Sequence, residues 1–213
     1  MVHYNKDISY LKKFKKSEDQ IRVLKRKEPI EAQKFFQKLY QFPFSIFGNV
    51  HKNNTKTDIK KLLNYKIPGK LQRDPFYENW LDDMSQTCKL FCSFQEEDNI
   101  SYWLGSKRGC KRYHVDMVPY RLLVTYAGQG TELLPNKAAD RKAFIEGKCN
   151  EKIIKDKSAL RFIGKWNIAL FRGGKKGILH RTPDSASNNN SSILMRLDSS
   201  SFLEKINDIN HIM

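Results

Sequence analysis

The sequence lacks any apolar run that approaches the roughly 18 to 20 residues needed to cross a bilayer. Residues 1–16 alternate charged and apolar side chains and lack the uninterrupted apolar core of a secretory signal. We therefore expect no membrane span and a cytoplasmic location. Cysteine is scarce as well, with 4 in 213 residues. Because that compartment is reducing, we expect these cysteines to be free thiols.

Several common site signatures are absent too. Cys88 and Cys92 lack a second pair at zinc spacing, so they do not indicate a zinc site. Gly128–Gly130 lacks the spacing and the following helix of a dinucleotide loop, and we interpret it as a hairpin or a loop at a barrel rim. Gly173–Gly177 lacks the Walker pattern, and we interpret it as a hairpin turn. No serine nucleophile elbow is visible.

Acidic residues are few relative to basic ones. The chain has 39 Lys or Arg and 23 Asp or Glu, and a formal net charge of +16. The excess is concentrated in residues 1–74, which carry 18 basic and 7 acidic side chains. Such a surface could attract nucleic acid or anionic membrane. The interleaved Arg and aromatic residues of a base-stacking surface are missing, so nucleic acid stays an open partner. The substrate, small molecule or macromolecule, is not identified.

The chain divides into two textures. Residues 1–98 contain amphipathic stretches, of which the clearest is Pro75–Phe94, with apolar residues at steps of three and four. After residue 98, short aromatic and β-branched runs are separated by Gly, Pro, Asn and Asp, which is typical of strands and turns. We predict an α+β fold with a helical N-terminal layer, 1–98, packed on a β-rich core, 99–213, in one continuous domain. The low-complexity segment Ser185–Ser192 is predicted to be a mobile loop.

Two histidines and one aspartate could form a metal site. His114 and Asp116 are two residues apart in a strand-like segment, so both side chains face the same way. His180 closes a second apolar run and could complete a facial set of two nitrogens and one oxygen, which suits Fe(II). The remaining histidines, His3, His51 and His211, lie near the termini or in a polar loop.

Arg196 lies in an apolar segment that reads as a core strand, where a guanidinium needs an anion. In an oxygenase that consumes 2-oxoglutarate, this anion is the carboxylate farthest from the metal. An ion pair with Asp198 or Glu132 is the competing interpretation. Arg121 and Arg181 are alternative anchors for the same anion.

These residues occur in motifs that resemble one family, DUF1826, a group of uncharacterised bacterial proteins. The motifs quoted from the sequence are Arg108–Asp116, Arg121–Glu132, Trp166–Gly173, His180–Pro183 and Leu194–Asp198. They resemble C-x-x-F-H-x-D, R-L-L-x-T-Y-x-G-x-G-T-E-W, G-D-V-A-L-L-K-G, H-R-S-P and the closing strand of that family. The resemblance is strong over 99–198 and loose over 20–98.

Three positions depart from the family pattern, namely Tyr113 for Phe, Leu133 for Trp and Asn167 for Asp. None of them is a candidate metal ligand. The order His-x-Asp, His, Arg is in turn similar to that of the Fe(II)- and 2-oxoglutarate-dependent oxygenases. That similarity implies a double-stranded β-helix core of the jelly-roll or cupin-like type.

The leading hypothesis is a hydroxylase-type oxygenase with Fe(II) as metal and 2-oxoglutarate as co-substrate. Its metal-binding and catalytic residues would be His114, Asp116 and His180. Its co-substrate residues would be Arg196, Tyr126 and Thr125.

Two alternatives use the same three ligands. The first is a Zn(II)-dependent hydrolase, in which Glu132 or Asp184 would be the general base for a zinc-activated water. The second is a metal-binding β-helix protein without catalytic turnover.

Overall fold

The computed structural model describes residues 2–5, 9–187 and 192–201 and combines helices with a largely antiparallel sheet. The strands are β1 Val2–Asn5, β2 Ile21–Leu24, β3 Ser45–His51, β4 Asn99–Gly105, β5 Tyr120–Ala127, β6 Glu132–Leu134, β7 Arg161–Phe162, β8 Ile168–Arg172, β9 Leu179–Arg181 and β10 Ile193–Ser199. The helices are α1 Ser9–Lys12, α2 Ala32–Leu39, α3 Thr55–Leu63, α4 Gly69–Gln72, α5 Pro75–Gln95, α6 Arg141–Ile145, α7 Asn150–Ile153 and α8 Asp184–Ser187. No helix in these ranges is long and apolar enough to span a membrane.

The strands form two sheets. The large sheet has the order β1-β2-β8-β5-β10-β4-β3, and the small sheet has the order β7-β6-β9. In the large sheet only β1 and β2 are parallel. From β4 onward the chain passes back and forth between the sheets, because β5, β8 and β10 belong to the large sheet and β6, β7 and β9 to the small one. A single bridge at His114 adds a fourth segment beside β9.

Alternation along the strands of the large sheet separates two hydrophobic cores. On β5, Leu122, Val124 and Tyr126 point toward the helices and join the main core. Leu123 points the other way and packs with Leu133 of the small sheet in a second core. The large sheet therefore lies between a helical layer and the small sheet. Alternate residues of one strand contact the helices on one face and the small sheet on the other.

Helix α5 anchors the helical layer. The Asp74 side chain accepts a hydrogen bond from the backbone N–H of Phe76 at 3.1 Å, and Pro75 occupies the first helical turn, where a missing N–H costs nothing. The helix ends at Glu96, which adopts a left-handed conformation with φ of 65°. Its apolar stripe packs against the sheet through residues such as Trp80, which is fully buried. The predicted helix over Pro75–Phe94 is confirmed.

The division at residue 98 does not separate helices from strands. Three strands, β1 to β3, come from the segment predicted to be a helical layer, and all belong to the large sheet. In β3, Ile46 and Val50 are buried while Phe47 is exposed, a strand-like alternation that the prediction overlooked. The N-terminal residues thus extend the sheet as well as cover it.

Three loop predictions have mixed outcomes. Gly173–Gly177 is not a hairpin turn, because it joins β8 of the large sheet to β9 of the small sheet. Gly128–Gly130 joins β5 to β6 and likewise crosses between sheets, so of its two interpretations the hairpin is wrong. Of the loop predicted at 185–192, residues 188–191 lie outside the described residues, and the first part belongs to α8.

A glycine substitution tests the close approach of the crossing loops. A Cβ at Gly130 would lie 1.8 Å from the carbonyl oxygen of Ile163, whereas one at Gly109 would meet nothing within 4 Å. We expect Gly130→Ala to lower the free energy of unfolding by about 2–3 kcal/mol or more, because backbone must move. Gly109→Ala should change it little. Urea unfolding of both variants measures this, and equal stabilities would contradict the described loop contact.

Candidate metal centre

His114 and His180 are held side by side by the backbone. The N–H of each residue donates to the carbonyl of the other, and both N···O distances are 3.0 Å. Directly opposed residues of an antiparallel pair project to the same side of the sheet. The two imidazole rings are accordingly 4.4 Å apart between centroids.

Both imidazoles are oriented by a second contact. Nδ1 of His114 lies 3.0 Å from the carbonyl oxygen of Arg112, and Nδ1 of His180 lies 3.0 Å from that of Ile178. A carbonyl can only accept, so Nδ1 carries the proton and Nε2 keeps its lone pair in the neutral ring. Burial, followed by the neighbouring His180, lowers the pKa of His114 and favours that neutral form. Metal-bound histidines are commonly oriented in this manner.

Asp116 supplies an oxygen beside the two rings. Its Oδ2 is buried without a hydrogen-bond partner among the described residues and lies 3.5 Å from Nε2 of His180. The other oxygen, Oδ1, accepts from a guanidinium N–H of Arg121, which also donates to Asp198 at 2.7 Å. Burial alone would raise the pKa of Asp116, but His180, when its ring is protonated, and Arg121 hold that pKa well below its ordinary value. The carboxylate is therefore ionised and has one oxygen directed at the histidines.

These three groups fit a divalent cation. One ligand atom from each of His114, Asp116 and His180 lies within 4.8 Å of the other two. Ligand atoms bound to one ion at about 2.1 Å are at most about 4.2 Å apart, so small side-chain rotations would close the set. Oδ2 of Asp116, which is buried and accepts no hydrogen bond from the described residues, is the atom that most needs such an ion, because a buried polar atom without a hydrogen bond is costly.

A cavity of about 130 Å³ opens beside the histidines. His114 and His180 line one part of it, and the indole of Trp103 lines another. Its charged lining residues are all cationic in the described part of the chain, namely Lys107, Arg108, Arg121, Arg181 and Arg196. The electrostatics of this lining favour an anionic ligand next to the candidate metal position.

Two of the three arginines considered from the sequence, Arg196 and Arg121, pair with Asp198. Arg196 lines the cavity, stands over the Trp103 ring at 5.6 Å, and has its Nε 3.1 Å from Asp198. Arg121 joins Asp116 to Asp198 and so supports the metal site from behind. Arg196 therefore forms the ion pair with Asp198 that was the competing interpretation, and it also lines the cavity in which an anion could bind.

Arg181 pairs with both proposed general bases. It lies 3.1 Å from a carboxylate oxygen of Glu132 and 3.1 Å from one of Asp184. Glu132 also accepts a hydrogen bond from the Tyr113 hydroxyl. Neither carboxylate is among the residues that line the cavity. Their contacts are those of ion-pair partners and not of a base beside a metal-bound water.

Tyr126 was wrongly assigned to the co-substrate site. Its side chain lies on the helical side of the large sheet, is fully buried, and donates to Asp83 at 2.8 Å. The reason is the period of the strand: Tyr126 is five residues from Arg121, so the two point to opposite faces. Thr125 is buried and is not among the cavity-lining residues. His51 is exposed and paired with Asp58. His211 lies outside the described residues, and of His3 only the backbone is described.

Arg108 and Trp103 are cavity residues that the sequence analysis did not select. Trp103 alternates on β4 with core residues, and its pairing opposite Arg196 on β10 brings it to the site. Arg108 follows β4 in an irregular loop, where periodicity gives no orientation. Its position at the start of the motif that contains His114 was the available signal.

Comparison with family models gives a match over residues 5–198 to the family described as "Protein of unknown function (DUF1826)". The chain belongs to the DUF1826 family. The match includes strands β2 and β3 as well as every candidate metal ligand. Comparison with curated proteins gives no match.

Solved structures similar to this DUF1826 chain include three with low sequence identity. A bsmA homolog from Methylobium petroleophilum PM1 has a TM-score of 0.46 at 8% identity, covering 91% of this chain and 93% of that one. The Fe(II)/(alpha)ketoglutarate-dependent dioxygenase TqaL has a TM-score of 0.45 at 10% identity, with coverage of 90% and 86%. A putative oxygenase from Shewanella oneidensis has a TM-score of 0.42 at 11% identity, with coverage of 99% and 98%.

The corrected position of Tyr126 can be tested by Tyr126→Phe. Removing the hydroxyl deletes the hydrogen bond to Asp83 but leaves the ring in the core, so we expect about 1 kcal/mol less stability. Metal and 2-oxoglutarate affinities should not change. Urea unfolding and ligand titration measure the two effects. A several-fold loss of 2-oxoglutarate affinity would contradict the position of Tyr126 outside the cavity.

Proposed function

We propose that the chain is an oxygenase that uses Fe(II) and 2-oxoglutarate. The observation that carries this proposal is the donor set itself: two imidazoles with Nε2 free for a metal lie beside one ionised carboxylate, and both imidazoles line a cationic cavity. Two histidines and one carboxylate, with adjacent positions left for other ligands, are the usual set of non-haem Fe(II) oxygenases. When bound there, Fe(II) would supply the redox chemistry that activates O₂.

We also infer that β4 to β10, with the His114 segment, form a double-stranded β-helix. In the large sheet the relevant order is β4-β10-β5-β8, and in the small sheet it is the His114 segment, β9, β6 and β7. Two facing four-membered layers, between which the chain passes repeatedly, are typical of jelly-roll folds. In this arrangement the metal ligands lie on the small-sheet side, opposite the arginines of β5 and β10.

The protein's own residues have separate tasks in this proposal. His114, His180 and Asp116 would hold the metal, and Arg121 keeps Asp116 ionised and fixes its orientation. Arg196 would bind the far carboxylate of 2-oxoglutarate, because its planar fork matches a carboxylate. Trp103 packs beside that guanidinium and shields the carboxylate from water. The small cavity suits a compact acid and not a large cofactor.

Zinc hydrolysis has less support than oxygenation. It requires a carboxylate near the metal to act as general base, and Glu132 and Asp184 are engaged by Arg181. The cationic side chains that line the cavity also cannot accept a proton from a metal-bound water. The donor set alone does not separate the two metals, so the discriminating observation is the response to 2-oxoglutarate.

Metal binding is tested by His180→Ala, with His51→Ala as a matched control. His180 belongs to the donor set, whereas His51 is exposed and pairs with Asp58 at 2.9 Å. Since loss of even an outer contact weakens a metal site about 10- to 100-fold, loss of a ligand should weaken Fe(II) binding at least about 100-fold. His51→Ala should bind like the unchanged protein. Anaerobic calorimetry measures both, and equal affinities would contradict the site.

Co-substrate binding is tested by anaerobic addition of 2-oxoglutarate to the Fe(II)-loaded protein. We expect a weak visible charge-transfer band, and a 10- to 100-fold larger dissociation constant in Arg196→Gln, the approximate cost of lost charge-assisted hydrogen bonds. Arg161→Gln is the control, because Arg161 is exposed and its side chain bonds only local carbonyls within the described part of the chain. Tight stoichiometric zinc with no response to 2-oxoglutarate would contradict the proposal and favour hydrolysis.

A further inference from the structure

Arg108 occupies a different part of the cavity wall from Arg196. One of its terminal nitrogens, Nη1, donates to the carbonyl of Gln129 at 2.9 Å and to the Ser192 hydroxyl at 3.4 Å. The other, Nη2, donates to the Thr131 hydroxyl at 2.8 Å. All three acceptors are neutral. The guanidinium is therefore fixed in direction without its charge being compensated.

The other arginines of the cavity differ in this respect. Arg121, Arg181 and Arg196 each have a carboxylate within 3.1 Å, whereas Arg108 forms no ion pair with any described residue. Its Nε is buried with no hydrogen-bond partner among the described residues. Burial without a facing carboxylate lowers the pKa of Arg108 to about 10. Such a cation is costly to bury, and a bound anion would offset that cost.

We propose that Arg108 forms a second anion subsite, which binds a carboxylate or phosphate group of the molecule that is oxidised. This assignment rests on the proposed function, in which Arg196 binds the co-substrate. Arg108, Arg196 and the two histidines line one cavity, so an anion at Arg108 would extend from the same space in which the metal is held. Lys107, next in the chain and exposed, adds positive charge at the rim. The substrate class is therefore a small acid or a phosphorylated compound.

A structural role for Arg108 makes a different prediction. Its bonds join the loop after β4 to Gln129, Thr131 and Ser192, so its loss would lower stability whether or not an anion binds. The two roles are separated by the increase in the free energy of unfolding when an anion is added. An anion subsite predicts an increase that depends on Arg108, and a purely structural role predicts none that does. That gain depends only on the dissociation constant and the anion concentration, not on the stability of the variant itself.

The test uses metal-free full-length protein in the Arg196→Gln background, which removes the first anion subsite. Inorganic phosphate and acetate are titrated separately, and the rise in melting temperature and the calorimetric dissociation constant are measured. We expect one of the two anions to bind, and Arg108→Gln to weaken it at least about tenfold, with Arg108→Lys intermediate. Preference for phosphate or acetate identifies which acid group the subsite takes.

Arg112→Gln is the matched control. Arg112 lies on the same loop and also bonds a neutral carbonyl, that of Lys148 at 2.9 Å, but it does not line the cavity. Phosphate and acetate should bind Arg112→Gln as they bind the parent. Equal affinities in Arg108→Gln and its parent, or no binding of either anion to the parent, would overturn the subsite.

A second measurement leaves Arg108 unchanged, in case its variants do not fold. Cys110 is exposed at the cavity, and Cys149 is exposed elsewhere, so alkylation of Cys110 is followed in Cys149→Ser protein. The preferred anion should slow alkylation several-fold, and an unchanged rate would count against the subsite. Should 2-oxoglutarate fail to bind while the anion still requires Arg108, the proposed co-substrate is refuted and the anion subsite stands.

Discussion

The pair of backbone hydrogen bonds between His114 and His180 is the constraint on which the site depends. Each residue donates and accepts across a single bridge, so residues 66 positions apart in the chain present their rings on one side. The Arg121 contact to Asp116 adds the third member, because it keeps an ionised carboxylate in place where burial would otherwise favour protonation. Backbone pairing thus positions the imidazole nitrogens of His114 and His180, and the buried ion pair with Arg121 positions the carboxylate of Asp116.

The two hydrophobic cores hold the layers that carry the site in place. Leu123, Leu133 and Ile178 pack between the sheets and fix the distance between the strand that carries Arg121 and the segments that carry the histidines. The larger core on the other face holds the large sheet against α5. Packing at both faces leaves the charged cavity as an opening between layers, and its cations come from both sheets and from the loop after β4.

The sequence allowed the proximity of the three candidate ligands to be predicted better than their surroundings. His114 and Asp116 are two residues apart and His180 closes an apolar run, and the three side chains do lie together, although the segment with His114 and Asp116 forms a single bridge and not a strand. Strands β1 and β3 form the two edges of the large sheet. Their pairing could not be predicted, because each edge strand is stabilised by a partner that is distant in the chain. Tyr126 was misassigned although the period of β5 already separates it from Arg121. Arg108 was missed because three loops determine its direction, and no local pattern encodes their convergence.

The most direct measurement is a crystal structure grown anaerobically with Fe(II), with anomalous scattering to locate the ion. We predict one ion bonded to Nε2 of His114, Nε2 of His180 and a carboxylate oxygen of Asp116, each at about 2.0–2.2 Å. The account is contradicted if that position stays empty at saturating metal while Asp116 contacts only Arg121, or if the ion binds a different set of side chains.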